Sequence, residues 1–153
     1  MKSKNASHAL LAALLFLATS FAFAAPTPPK ATASQHVPPF PGTLVNARYV
    51  DVTSYDGNQF DINLLSEDRE AINAVQDAIQ KWGKFILVYE PQQADIVLMV
   101  TSRPSEDVLA VYDAHNWPRN QYLWRMMSRN GLQQSETPLV TNLEKAFEQA
   151  TSK

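Results

Sequence analysis

The sequence predicts an α/β fold, a two-layer sandwich in which a mixed sheet of about five strands carries two helices on one face, in the order βαββββα. Three observations predict it. Apolar residues recur at helical spacing in two separate stretches, 66–82 and 138–150. Five short runs rich in β-branched and aromatic residues accompany them, one before the first helix and four between the helices. Turn residues and prolines separate these runs at short intervals.

The elements follow in chain order. Leu44–Thr53, LVNARYVDVT, reads as the first strand, and Ser54-Tyr55-Asp56-Gly57-Asn58 ends it. Ser66 stands where an N-cap hydroxyl is expected, with Glu67 and Asp68 in the first turn, where carboxylates favour the helix dipole. Ile72, Val75, Ile79 and Trp82 then form one apolar stripe, and Gly83 is placed to stop the helix in a left-handed conformation. Phe85–Tyr89 is the second strand and Asp95–Thr101 the third. The link Glu90–Ala94 is too short for a helical crossover, so these two strands are expected to be antiparallel neighbours. Pro104 interrupts the chain before a fourth strand at Val108–Asp113, and a fifth follows at Gln121–Met127. After the turn dipeptide Asn130-Gly131, Thr137 and Pro138 open a second helix, with Leu139, Leu143, Phe147 and Ala150 on its apolar face.

This pattern leaves one face unaccounted for. The second and third strands are apolar on both parities: Phe85, Leu87 and Tyr89 oppose Ile86 and Val88, while Ile96, Leu98 and Val100 oppose Val97 and Met99. Two helices cover only one side of five strands. The other side is expected to be shielded by the proline-rich lead, by long side chains, by another protein or by self-association.

The amino-terminal residues carry a different signal. Lys2 and Lys4 precede an uncharged apolar run, Leu10–Ala24, which ends in Ala22-Phe23-Ala24. This is the layout of a secretory signal peptide cut before Ala25, with an apolar run short for a bilayer span. The mature chain is therefore expected to be exported, to a periplasm or outside the cell, with no stable membrane span. Residues 25–43 carry six prolines and almost no aliphatic residue, which predicts a disordered or polyproline-like lead. A single α/β domain is then expected over 44–153. The chain has no cysteine, so disulfides and thiolate chemistry are excluded. After the expected cut, 11 basic residues stand against 15 acidic ones, a formal net charge of −4, and the basic residues are scattered. Nucleic acid is not an expected partner, and no cofactor is expected.

The run Ser66–Val100 pairs a capped, glycine-terminated helix with the strand FILVY and a short loop into Ala94-Asp95-Ile96-Val97-Leu98. It resembles small exported bacterial envelope domains loosely similar to the amino-terminal domain of TolB. The resemblance covers about a third of the domain, lacks the helix that TolB places between the second and third strands, and carries no functional residue across. It implies an envelope-associated, non-catalytic interaction domain.

The chemically crowded stretch is Val111–Trp124, VYDAHNWPRNQYLW, which holds the domain's one histidine. Asp113 and His115 point the same way in an extended segment and would make half of a general-base unit. A hydrolase using that pair, with Arg103 or Arg119 stabilising charge, is the alternative reading. Ser102, Ser105 and Ser128 lie in no nucleophile elbow. Metal binding by Glu106, Asp107 and Asp113, and glycoside hydrolysis by Asp51 and Asp56, are weaker patterns, and no metal site is expected. Asp95 is placed to cap nearby backbone amides. The favoured reading is binding through Tyr112, Trp117, Arg119 and Tyr122, because Trp and Tyr bury much area at little entropic cost. Alternation places Tyr122 and Trp124 on one face and Leu123 and Arg125 on the other, with Trp124 either in the core or at the surface.

Overall fold

The computed structural model of the chain describes residues 36–119, 121–133 and 137–152. The expected signal peptide, residues 1–24, and residues 25–35 of the lead lie outside the described residues. The elements are β1 (Tyr49–Ser54), α1 (Ser66–Trp82), β2 (Ile86–Val88), β3 (Ile96–Ser102), β4 (Asp107–Asp113), β5 (Trp124–Ser128) and α2 (Pro138–Thr151). The five strands form one mixed sheet in the order β2-β1-β3-β4-β5. The predicted α/β class and element order are observed.

The neighbours of β2 differ from expectation. It pairs in parallel with β1, and β3 pairs in parallel with the other side of β1, so β2 and β3 do not touch as antiparallel neighbours. The reason is the brevity of β2. Its last residue, Val88, lies level with Asp51, while β3 begins level with Val50. The chain therefore has only to step across β1, about 10 Å at the usual strand spacing, and seven residues suffice, with one 3-10 turn at Pro91–Gln93 in place of an α-helix. Asp95 fixes the landing point: its carboxylate accepts the N–H groups of Arg48 (2.7 Å) and Tyr49 (3.0 Å), and its own N–H donates to the Tyr49 carbonyl. Asp95 thus caps amides, not nearby ones as expected but those at the start of β1 and just before it, nearly fifty residues earlier.

Both helices pack on one face. Val50, Val52, Ile96, Leu98, Val100, Leu109, Val111, Trp124 and Met126 share a core with Ile72, Val75 and Ile79 of α1 and Leu139, Leu143 and Phe147 of α2. Gly83 ends α1 at φ 70°, donating its N–H to the Ile79 carbonyl, as a left-handed stop should. Ser66 is not the cap. It is the first helical residue after Leu65, and its hydroxyl donates to Glu67 at 3.0 Å.

The domain starts before Leu44. A short 3-10 turn occupies Gly42–Leu44, and the first strand begins only at Tyr49. Ahead of it, Phe40 is buried edge-on against Phe147 with centroids 5.2 Å apart, and the Pro38 carbonyl accepts the Trp124 indole N–H at 2.9 Å. Residues 36–43 thus belong to the fold. Their prolines keep the backbone extended and leave its carbonyls open to outside donors.

The second sheet face is less uniformly apolar than the pattern of β2 and β3 suggests. β1 contributes Tyr49, Asp51 and Thr53 to it, β3 adds Thr101, and β5 adds Arg125 and Met127. Val97 and Ala110 at its centre have no accessible surface, Met99 is half-buried, and Asp51 is only 3% exposed. Exposure concentrates at the rim, on Tyr49, Ile86, Arg125 and Met127. No helix among the described residues is long and apolar enough to cross a membrane.

Candidate functional site

The link between β4 and β5 emerges beside the start of β3, because Asp113 pairs with Ile96. Asp113 organises its first turn. Its Oδ1 accepts the His115 N–H at 3.0 Å and lies 3.1 Å from His115 Nδ1, while Oδ2 accepts the Asn116 side-chain amide at 2.9 Å. A 3-10 turn, Ala114–Asn116, results. Partial burial pushes the Asp113 carboxyl up, but these donors outweigh it and hold the group below the usual carboxylate range.

Beyond this turn the backbone folds so that three rings meet. Tyr112 and Trp117 are edge-to-face with centroids 4.8 Å apart, and Tyr112 meets Tyr122 likewise at 6.4 Å. The Arg125 guanidinium lies 5.7 Å from the Tyr122 ring centroid. Tyr112 and Trp117 are half-buried, and Tyr122 and Arg119 are exposed. Burial raises the Tyr112 phenol's pKa, against the opposing pull of the nearby Arg125 charge.

Two concavities flank His115. One, of about 290 Å³, is lined by Thr43, Asn46, Asp95 and Asp113 among others. The other, of about 460 Å³, lies between Pro91, Gln92 and Ala94 of the β2–β3 link and Ala114, Trp117 and Pro118 of the β4–β5 link. The chain thus brings its two irregular links together at one end of the sheet. The His115 side chain is nevertheless 77% exposed. Among the described residues no serine or threonine hydroxyl bonds to it.

Of the sequence-predicted residues, Tyr112, Trp117 and Tyr122 come together, as do Asp113 and His115. Arg119 lies outside the ring cluster. The expected pairing of Tyr122 with Trp124 on one face is corrected: β5 begins only at Trp124, whose ring is in the core, whereas Tyr122 lies outside with Arg125. Asp51 and Asp56 are apart, one on the second sheet face and the other bonded to Arg103 at 3.0 Å. Asp107 and Asp113 sit at opposite ends of β4, and among the described residues no three His, Asp or Glu side chains are placed to hold a metal ion. Ser102 donates to Asp107 at 2.7 Å, far from His115.

Sequence reasoning missed a polar cluster at the opposite end of the sheet. There the buried Asp68 accepts the Ser54 hydroxyl (3.0 Å), the Ser102 N–H (2.8 Å) and Arg103 Nη1 (2.8 Å). Asp107 accepts the Leu132 N–H nearby at 3.0 Å. These bonds tie α1 to the ends of β1 and β3, and every carboxylate has a donor, so the cluster reads as structural. No family model, no curated protein and no solved structure matches this chain.

Proposed function

We propose that this chain is an exported, non-catalytic α/β domain that binds a protein or another envelope component through the end carrying the β4–β5 link. Export rests on the leader-like residues 1–24, and an envelope setting rests on the resemblance of Ser66–Val100 to TolB-like domains. Binding rests on one observation: Trp117 lines the concavity of about 460 Å³ while Tyr112 braces it edge-on. A ring already fixed in place loses little freedom when a partner covers it, so more of its apolar area converts to affinity. The test is Trp117→Ala in the full chain, used as bait against envelope extract. Recovery of at least one partner should fall sharply, and unchanged recovery of every partner would sink the reading.

A hydrolase built on Asp113 and His115 is the second reading, favoured by their 3.1 Å contact. Against it, Asp113 already serves as a turn cap, and the imidazole stands largely in water. Ester and peptide hydrolysis by the wild-type chain, abolished in His115→Ala, would establish this reading in place of the first.

A further inference from the structure

The loop joining β1 to α1 presents apolar side chains to water from an immobilised backbone. Asn58 accepts the Phe60 N–H at 2.9 Å, and Asp61 accepts the Asn63 N–H at 2.9 Å. Arg69 reaches back from α1 to the carbonyls of Gln59 and Asp61. Leu64 turns inward and closes the loop on the core. Yet Phe60 is 68% exposed and Ile62 91% exposed, with Tyr55 and Leu65 also open. Phe60 meets Tyr89 edge-on at 6.1 Å, which extends the patch to the end of β2. Single exposed apolar residues are ordinary, but adjacent ones held on a braced loop mark an interaction surface. A loop with no partner would gain by turning Phe60 and Ile62 inward or replacing them.

The surrounding charge selects the partner. Of the five acids within residues 55–70, Asp68 is buried, which leaves Asp56, Asp61, Glu67 and Glu70 to charge the surface against the single base Arg69. Arg69 is committed to the loop carbonyls, and Arg103 to Asp56 and Asp68. An anionic lipid surface would be repelled by this rim, whereas a segment with apolar anchors and basic flanks would match it.

We infer that the Tyr55–Leu65 loop, with Tyr89, is a second docking surface, and that its occupant is a cationic amphipathic segment of another protein. It lies at the end of the sheet opposite Trp117 and does not depend on that site. The test titrates the full chain with a labelled helical peptide of leucine and lysine at amphipathic spacing. Its leucine–glutamate counterpart, and zwitterionic and anionic vesicles, serve as the other arms. The lysine peptide should bind and the glutamate peptide should not. The double variant Phe60→Ser/Ile62→Ser should weaken lysine-peptide binding by more than about tenfold, with an unchanged circular dichroism spectrum, while Trp117→Ala binds like wild type. Equal binding of both peptides, undiminished binding by the double variant, or Phe60-dependent binding of vesicles alone would each overturn the inference.

Discussion

Asp68 has no accessible side-chain surface, yet it lies 2.8 Å from the guanidinium of Arg103, which is 37% exposed. The pair runs from the inside of the fold to its surface, and Asp68 also holds Ser54 and the Ser102 amide. Asp68→Ala therefore strands three donors at once. Removing one partner of a buried charged network costs about 3 kcal/mol or more, so the urea midpoint should fall steeply. Arg103→Ala should cost less, because water reaches its side of the pair.

Asp51 gives the fold a pH dependence. Burial raises its pKa from 3.8 to about 6, opposed only by a backbone N–H from Val52. Between these values the folded chain keeps a proton that the unfolded chain has lost, so stability falls as pH rises through this window and stays lower above it. Asp51→Asn should raise stability at pH 7 to 8 by up to about 2–3 kcal/mol and flatten the profile from pH 4 to 6. Urea unfolding of both chains at several pH values reads the difference. An unchanged slope in the variant would remove Asp51 as its source.

Asp95→Ala should loosen the step between β2 and β3. The amides of Arg48 and Tyr49 lose their acceptor, at a cost of about 1–2 kcal/mol, and their hydrogen exchange should accelerate relative to the centre of β1. The two N–H donors hold the Asp95 pKa below its ordinary value. Its contribution is therefore present above the unfolded pKa and is lost as pH falls through the lower folded one.

Gly131 sits where the chain passes close over α2. A Cβ there would lie 2.6 Å from Leu139 Cγ and 2.7 Å from its Cδ1, and Leu139 is fully buried. Gly131→Ala should destabilise by about 1–3 kcal/mol through overpacking, visible as a lower thermal midpoint. The double variant Gly131→Ala/Leu139→Ala should lose less stability than the two single losses added together, because the new Cβ takes space that Leu139 has vacated.

The helices were legible because each carries its own explanation: the Ile72, Val75, Ile79 stripe and the Gly83 stop are local, and α2 repeats the pattern after Pro138. The place of β2 was not, because it depends on how few residues of FILVY pair, which is a property of β1 rather than of the run itself. Asp95 is legible as a backbone cap, but turn chemistry points to nearby amides, whereas its partners, Arg48 and Tyr49, are distant in sequence and no local rule reveals them. Phe40 was hidden in a proline-rich stretch whose composition argues against packing, although one ring suffices to bring it inside. The aromatic cluster was half legible. Tyr112, Trp117 and Tyr122 stood close in sequence, but alternation misplaced Tyr122 because β5 starts two residues later than its aromatic run. Nothing in the sequence marks Phe60 and Ile62 as exposed, because the loop that presents them is braced by Asn58, Asp61 and Arg69 through contacts that only the fold brings together.

The edge-on stack of Phe40 against Phe147 bears on where this chain is trimmed for expression. Phe147 also meets Trp82 at 5.4 Å and Phe85 at 5.1 Å, so four rings from three separate parts of the chain close one corner. A recombinant fragment starting at Leu44 would lack one of the four and leave a gap beside the last turns of the C-terminal helix, so fragments for study should retain the residues from His36 onward.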